Sequence, residues 1–186
     1  EVAEVRWSLI GRFNVENGLA ALAASVNAGV SPNVAAEALE RFTPVKRRLE
    51  VRSNRHGVTV YDDFAHHPTA IMRTVDALQR SNRHQRIFAV LEFASYTMRT
   101  GVHADEMAHA LKPVQGAYVL EPHDFNLNET LGNWTCPYKI CKDHDEIIQE
   151  VSNIVQEGDA VLVMSNRGFN GIHQKLINSI DERFSR

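Results

Sequence analysis

Residues 160–172 read Ala160-Val161-Leu162-Val163-Met164-Ser165-Asn166-Arg167-Gly168-Phe169-Asn170-Gly171-Ile172. Five apolar residues with no polar interruption suit a strand buried on both faces, as in a parallel sheet. The glycine-containing turn then leads into a helix at about 171 to 183 whose Ile172, Leu176, Ile177 and Ile180 share one face. Two earlier runs, Ile87 to Leu91 and Ala117 to Leu120, have the same character, and Tyr138 to Cys141 is a weaker fourth. Helical spacing recurs at about 102 to 112 and 144 to 156, and Pro68 can start a helix that buries Ile71, Met72, Val75 and Leu78. The order predicts an α/β domain, a doubly wound and mostly parallel sheet with ligands at the carboxyl ends of its strands. Ahead of it, Leu49 to Ser53 and Val58 to Tyr61 alternate in polarity around Asn54 to Gly57, which predicts a strand pair. Pro122 to Pro137 is expected to form a surface loop or a short irregular element.

Two helices come first. Asn14 can cap a segment with Leu19, Leu22, Ala23 and Val26 on one face, ended by Gly29. Ser31 and Pro32 open the second, which is expected to bury Val34, Ala35, Ala38, Leu39 and Phe42. Thr43-Pro44 and the basic run Lys46-Arg47-Arg48 mark a hinge, so the expected division is 1–44 and 45–186. With 44% hydrophobic and 23% charged residues the chain is neither disordered nor fibrous, and it lacks the roughly 20-residue apolar run of a membrane span. A net charge of −3 gives no general attraction to nucleic acid or to anionic membrane, so any anion site must be local. Cys136 and Cys141, spaced C-x4-C without a second pair, read as thiols in a reducing compartment rather than as zinc ligands. Position 1 is not Met, so a longer parent chain is expected.

Three segments can carry chemistry. In Tyr61-Asp62-Asp63-Phe64-Ala65-His66-His67-Pro68, two carboxylates and two imidazoles lie between a strand and a helix, where an open α/β sheet presents polar groups to ligands. Asp62 or His67 could instead cap the helix, and a metal role lacks a closed ligand set. Ser165 to Gly171 again joins strand to helix, with glycines allowing close backbone approach and a helix amino end able to hold an anion. Neither G-x-x-x-x-G-K-[ST] nor G-x-G-x-x-G occurs in the chain. The third segment, Leu91 to His103, is rich in hydroxyls that could bind a polar substrate or cap a helix through Thr100.

Together, Gly11 to Ala21 (GRFNVENGLAA), Val45 to Glu50 (VKRRLE) and Asp62 to Ile71 (DDFAHHPTAI) resemble, in motif and order, the second half of the Mur ligases. These are the ATP-dependent amide-forming enzymes of bacterial cell-wall synthesis. Residues 91–103 (LEFASYTMRTGVH) and 161–176 (VLVMSNRGFNGIHQKL) look most like members that recycle murein tripeptide. The resemblance implies a Rossmann-like carboxyl-terminal domain over 45–186, with 1–44 as the last helices of a central ATPase domain. It also implies a cytoplasmic parent that joins UDP-N-acetylmuramate to the tripeptide through an acyl phosphate, with ATP and Mg2+ held mainly by domains not in this chain. The chain alone is then expected to be inactive. By the same resemblance Asn14 pairs with adenine, Arg48 reaches the phosphates, and Asp63, with His66 beside it, binds the ribose. Ser95, Thr97, Arg99, His103, Ser165, Asn166 and His173 line the peptide site. An L-alanine ligase, a folylpolyglutamate-synthase relative and a non-catalytic binding module are the alternatives.

Overall fold

The computed structural model describes residues 3–93, 103–122, 127, 131 and 134–186. The chain divides into two compact units, Glu1–Val45 and Lys46–Arg186. The first holds helices α1 (Arg12–Asn27) and α2 (Pro32–Glu40). Gly11, not Asn14, stands at the amino cap of α1. Asn14 lies inside the first turn, where its side-chain amide donates to the Ile10 carbonyl at 2.7 Å. Ser31 caps α2 by accepting from the Val34 amide, and Pro32 takes the first helical position where its missing N–H costs nothing. The apolar faces expected to be buried are largely open. Leu19 is 61% exposed, Val34 55% and Phe42 53%, with Val15, Val26 and Val30 also uncovered. In α2 the buried residues are Ala35 and Ala36. Helical period thus places the apolar stripes, and among the described residues of the unit little covers them.

The second unit is a sheet of six strands in the order β1-β2-β6-β3-β4-β5. Its elements are β1 (Glu50–Arg55), β2 (Val58–Asp63), α3 (Pro68–Arg80), β3 (Arg86–Glu92), α4 (Ala104–Leu111), β4 (Gly116–Leu120), β5 (Tyr138–Cys141), α5 (His144–Ile154), β6 (Asp159–Met164) and α6 (Ile172–Phe184). Strand β1 is antiparallel to β2, whereas β2, β6, β3, β4 and β5 run parallel. The β1–β2 turn is only His56-Gly57, both at positive φ (53° and 70°), the geometry that matches strand twist in a tight hairpin. All six residues of β2 and of β6 are buried, as a doubly covered parallel strand requires. The expected polarity alternation therefore fails in β2.

Val60, Val90, Val161 and Val163 share one core with Ile147 of α5 and with Ile172, Leu176 and Ile180 of α6. Residues of opposite parity in these strands face away from that core. Among the described residues, α3 buries Ile71, Val75 and Leu78, while Met72 is 38% exposed. The stretch after Pro122, expected as a surface loop or a short irregular element, buries Leu127, Leu131, Trp134 and Cys136. Cys136 and Cys141 are free and buried, and burial pushes the Cys141 thiol up to about 12. No helix among the described residues is long and apolar enough to cross a membrane.

Candidate functional site

At the carboxyl edge of the sheet, Asp63 at the end of β2 lies in register with Met164 at the end of β6. The Ser165 amide donates to the Asp63 carbonyl at 3.2 Å, so the turn after β6 begins against the end of β2. The basic run comes to the same place. Arg47 stands at φ 59° and Leu49 at φ 48°, a conformation that side-chain-bearing residues adopt at a cost of about 1–3 kcal/mol each. Hydrogen bonds hold it. The Arg47 amide donates to Glu50 at 2.8 Å, the Leu49 amide to Asp63 Oδ2 at 2.7 Å, and the Arg47 carbonyl accepts from the Phe64 amide at 2.9 Å.

The two adjacent carboxylates do different work because strand alternation sends them to opposite faces. Asp63 is 3% exposed, and its oxygens accept the Leu49 amide and the Ala65 amide, each at 2.7 Å. Burial raises its carboxyl above the usual aspartate range, against the pull of those two amides and of Arg48. Asp62, 2% exposed, faces α6. Its Oδ1 lies 3.2 Å from Arg47 Nε and 3.2 Å from His173 Nε2, and its Oδ2 lies 3.3 Å from Arg52 Nη1. Arg47 Nη2 also donates to the Ser165 carbonyl at 2.6 Å, tying the residues after the hinge to the turn after β6. Ser165 Oγ donates to Glu92 at the end of β3 and accepts from the Arg167 amide at 2.9 Å. The turn continues through Phe169, Asn170 and Gly171 at φ 47°, 48° and 66°, three successive left-handed residues held by the buried Phe169 ring.

The structure brings Arg48, Asp63, His66, Ser165, Asn166 and His173 to this edge. Arg48 holds its guanidinium 5.6 Å from the Phe64 ring centre, and His66 Nδ1 lies 2.9 Å from the Phe64 carbonyl. Asn166 Oδ1 is buried with no hydrogen-bond partner among the described residues. His103 belongs to a different neighbourhood, at the amino cap of α4, with Nδ1 2.9 Å from Glu106 and its ring 4.8 Å from that of His67. His67 occupies the amino cap of α3 without a side-chain cap bond. Asn14 belongs to the other unit, and Ser95, Thr97, Arg99 and Thr100 lie outside the described residues. Sequence reasoning counted Asp62 in the polar cluster without a partner, read Arg47 only as part of the basic hinge run, gave Glu92 no role of its own within its segment, and passed over Arg52. Their partners lie 10 to 118 positions away, so no local spacing announces them.

Burial holds the His173 imidazole below the ordinary histidine value of 6.5, with Asp62 opposing. The folded state then binds fewer protons than the unfolded chain between these two values. The stability linked to His173 is complete above 6.5 and is lost as pH falls through the folded value. In His173→Gln the decline in unfolding free energy from about pH 7.5 to pH 5 should be shallower than in the wild type. Identical slopes in urea titrations would remove His173 from this role.

Among the described residues, no group of three His, Cys, Asp or Glu side chains is arranged to hold a metal ion. The family of the Mur ligase, glutamate ligase domain matches residues 47–167. The chain is 44% identical over 98% of its length to the Escherichia coli (strain K12) UDP-N-acetylmuramate--L-alanyl-gamma-D-glutamyl-meso-2,6-diaminoheptandioate ligase, covering 41% of that protein. It is 31% identical over 88% of its length to the UDP-N-acetylmuramate--L-alanine ligase of Desulforapulum autotrophicum, covering 38% of it. The crystal structure of a murein peptide ligase from Psychrobacter arcticus superposes with a TM-score of 0.72 at 37% identity, over 95% of this chain and 38% of that one. The chain thus spans about two fifths of the length of these relatives. With the parallel sheet and its antiparallel first strand in place, a family match over most of Lys46–Arg186 and this degree of identity show that the chain belongs to the Mur ligase family.

Proposed function

We propose that this chain is the carboxyl-terminal part of a cytoplasmic ATP-dependent ligase that joins L-alanyl-γ-D-glutamyl-meso-2,6-diaminoheptanedioate to UDP-N-acetylmuramate. One observation carries the proposal: the post-hinge arginines, the end of β2 and the turn after β6 are locked into a single polar edge. Higher identity to the tripeptide ligase than to the L-alanine ligase, 44% against 31%, supports the choice of acceptor. In this reading ATP phosphorylates the muramyl carboxylate, and the amine of the tripeptide attacks the acyl phosphate and expels phosphate. Residues 46–186 form the closing domain that shields this intermediate from water. Residues 1–45 belong to the ATPase domain, whose remaining surface covers the exposed Leu19, Val34 and Phe42.

Arg48 reaches the nucleotide phosphates: among the described residues its guanidinium rests against the Phe64 ring and in the field of Asp63, which leaves its donors for an anion. Asp63 orders the residues after the hinge through its two amide bonds, and a ribose hydroxyl would use its remaining lone pairs. The residues described here do not fit a Mg2+ site. Asp62 is shared by two arginines, Asp63 by two amides, and Glu92 takes the Ser165 hydroxyl. The ion and the phosphate-cradling loop fall to the remainder of the parent. In the full-length protein Arg48→Ala should raise the apparent KM for ATP about tenfold or more, the worth of a charge-assisted hydrogen bond. An unchanged ATP dependence would take Arg48 away from the nucleotide.

A further inference from the structure

An open cleft of about 270 Å³ lies beside this edge, with Arg47, Arg52, Asp62, His173, Gly168 and Gly171 among its lining residues. Two features of its wall are unusual. Pairing of β1 with β2 runs Val51↔Tyr61 and then Ser53↔Val60, so Arg52 is the extra residue of a β-bulge. A bulge re-aims a side chain, and here it turns Arg52 toward Asp62, which Arg47 already engages. One carboxylate therefore serves two guanidinium groups, through contacts of 3.2 and 3.3 Å that are long for charge-assisted bonds. The cleft keeps an excess positive charge and guanidinium donors to spare.

The second feature is His173. Its side chain is only 8% exposed, and its Nε2 lies 3.2 Å from Asp62 Oδ1 without the alignment of a regular hydrogen bond. It stands in the first turn of α6, a helix of 13 residues whose amino end has no side-chain cap. Gly168 and Gly171 leave the backbone there uncovered, with nothing within 4 Å of where a Cβ would stand. Spare guanidinium donors, a buried imidazole only loosely engaged by Asp62 and an uncapped helix amino end all suit an anion.

We propose that this cleft is an oxyanion subsite, in which Arg47, Arg52 and His173 hold a carboxylate or phosphate group. The proposal deepens the ligase reading, since the anion is then either a carboxylate of the acceptor tripeptide or a phosphate from the nucleotide. The 15N–1H correlation spectrum of the 186-residue chain, titrated separately with the free tripeptide and with inorganic phosphate, tests it. Saturable shifts at His173, Gly168 and Gly171 are expected, weakened about tenfold or more in Arg52→Gln and less in Arg52→Lys, which keeps the charge but loses the fork. Saturation by the tripeptide alone assigns the acceptor carboxylate, and saturation by phosphate assigns the nucleotide. No saturable shift with either, or equal affinity in Arg52→Gln of unchanged melting temperature, overturns the subsite. Failure here with ligation intact in the full-length protein would leave the ligase reading standing, and binding here without ligation would do the reverse.

Discussion

Phe169→Ala is expected to lower the unfolding free energy of the chain by about 3–5 kcal/mol, the cost of emptying a buried aromatic site. The ring is 1% exposed, lies in the core with Val161, Val163 and Ile172, and meets the His144 ring at 5.5 Å. It also anchors a turn whose residues 169–171 all take left-handed backbone, which the two non-glycine residues resist. Without the ring, the restraint on that turn goes together with the burial. Urea denaturation should show the loss, and amide exchange at Arg167, whose N–H donates to Ser165 Oγ, should quicken beyond the global change. A loss below about 1 kcal/mol would mean that the ring does not hold the turn.

Asp62→Ala should cost about 2–3 kcal/mol. Breaking a buried ion pair by removing one partner costs about 3–5 kcal/mol, and the discount reflects water reaching Arg47 and Arg52, 27% and 39% exposed. The alanine removes the carboxylate that the Arg47 and Arg52 guanidinium groups share and leaves His173 Nε2 with no carboxylate beside it. Adding Arg52→Gln to this variant should restore about 1 kcal/mol by removing one of the two like charges. Strict additivity of the two substitutions in denaturation experiments would show that Asp62 and Arg52 act independently.

The parallel sheet was legible in the sequence because a doubly covered strand must be apolar throughout, so Ile87 to Leu91 and Ala160 to Met164 declare themselves without partners. Pro68 and the stripe of α6 were legible for equally local reasons. Asn14 misled as a cap because its own amide turns back on Ile10 from inside the helix, while Gly11 at φ 92° takes the cap position. The faces of α1 and α2 misled because periodicity reports which side is apolar, not what covers it. The stretch after Pro122 carries no sustained period, yet Leu127 and Leu131, four residues apart, are both buried. At the site, adjacency in the chain pointed to the Asp62-Asp63 pair. Which carboxylate meets the arginines depends on strand parity and on a bulge at Arg52, and both are properties of the pairing of β1 with β2. Arg47 was read only as part of the basic hinge run because its partner Ser165 lies 118 residues away.

Mass-spectrometric detection of UDP-N-acetylmuramoyl-tripeptide formed by the full-length protein from UDP-N-acetylmuramate, ATP and free tripeptide tests the central claim most directly. The account predicts product formation matched by ADP release, little product when L-alanine replaces the tripeptide, and none from the 186-residue chain alone. Efficient use of L-alanine with no tripeptide product, or ligation by the isolated chain, would contradict it.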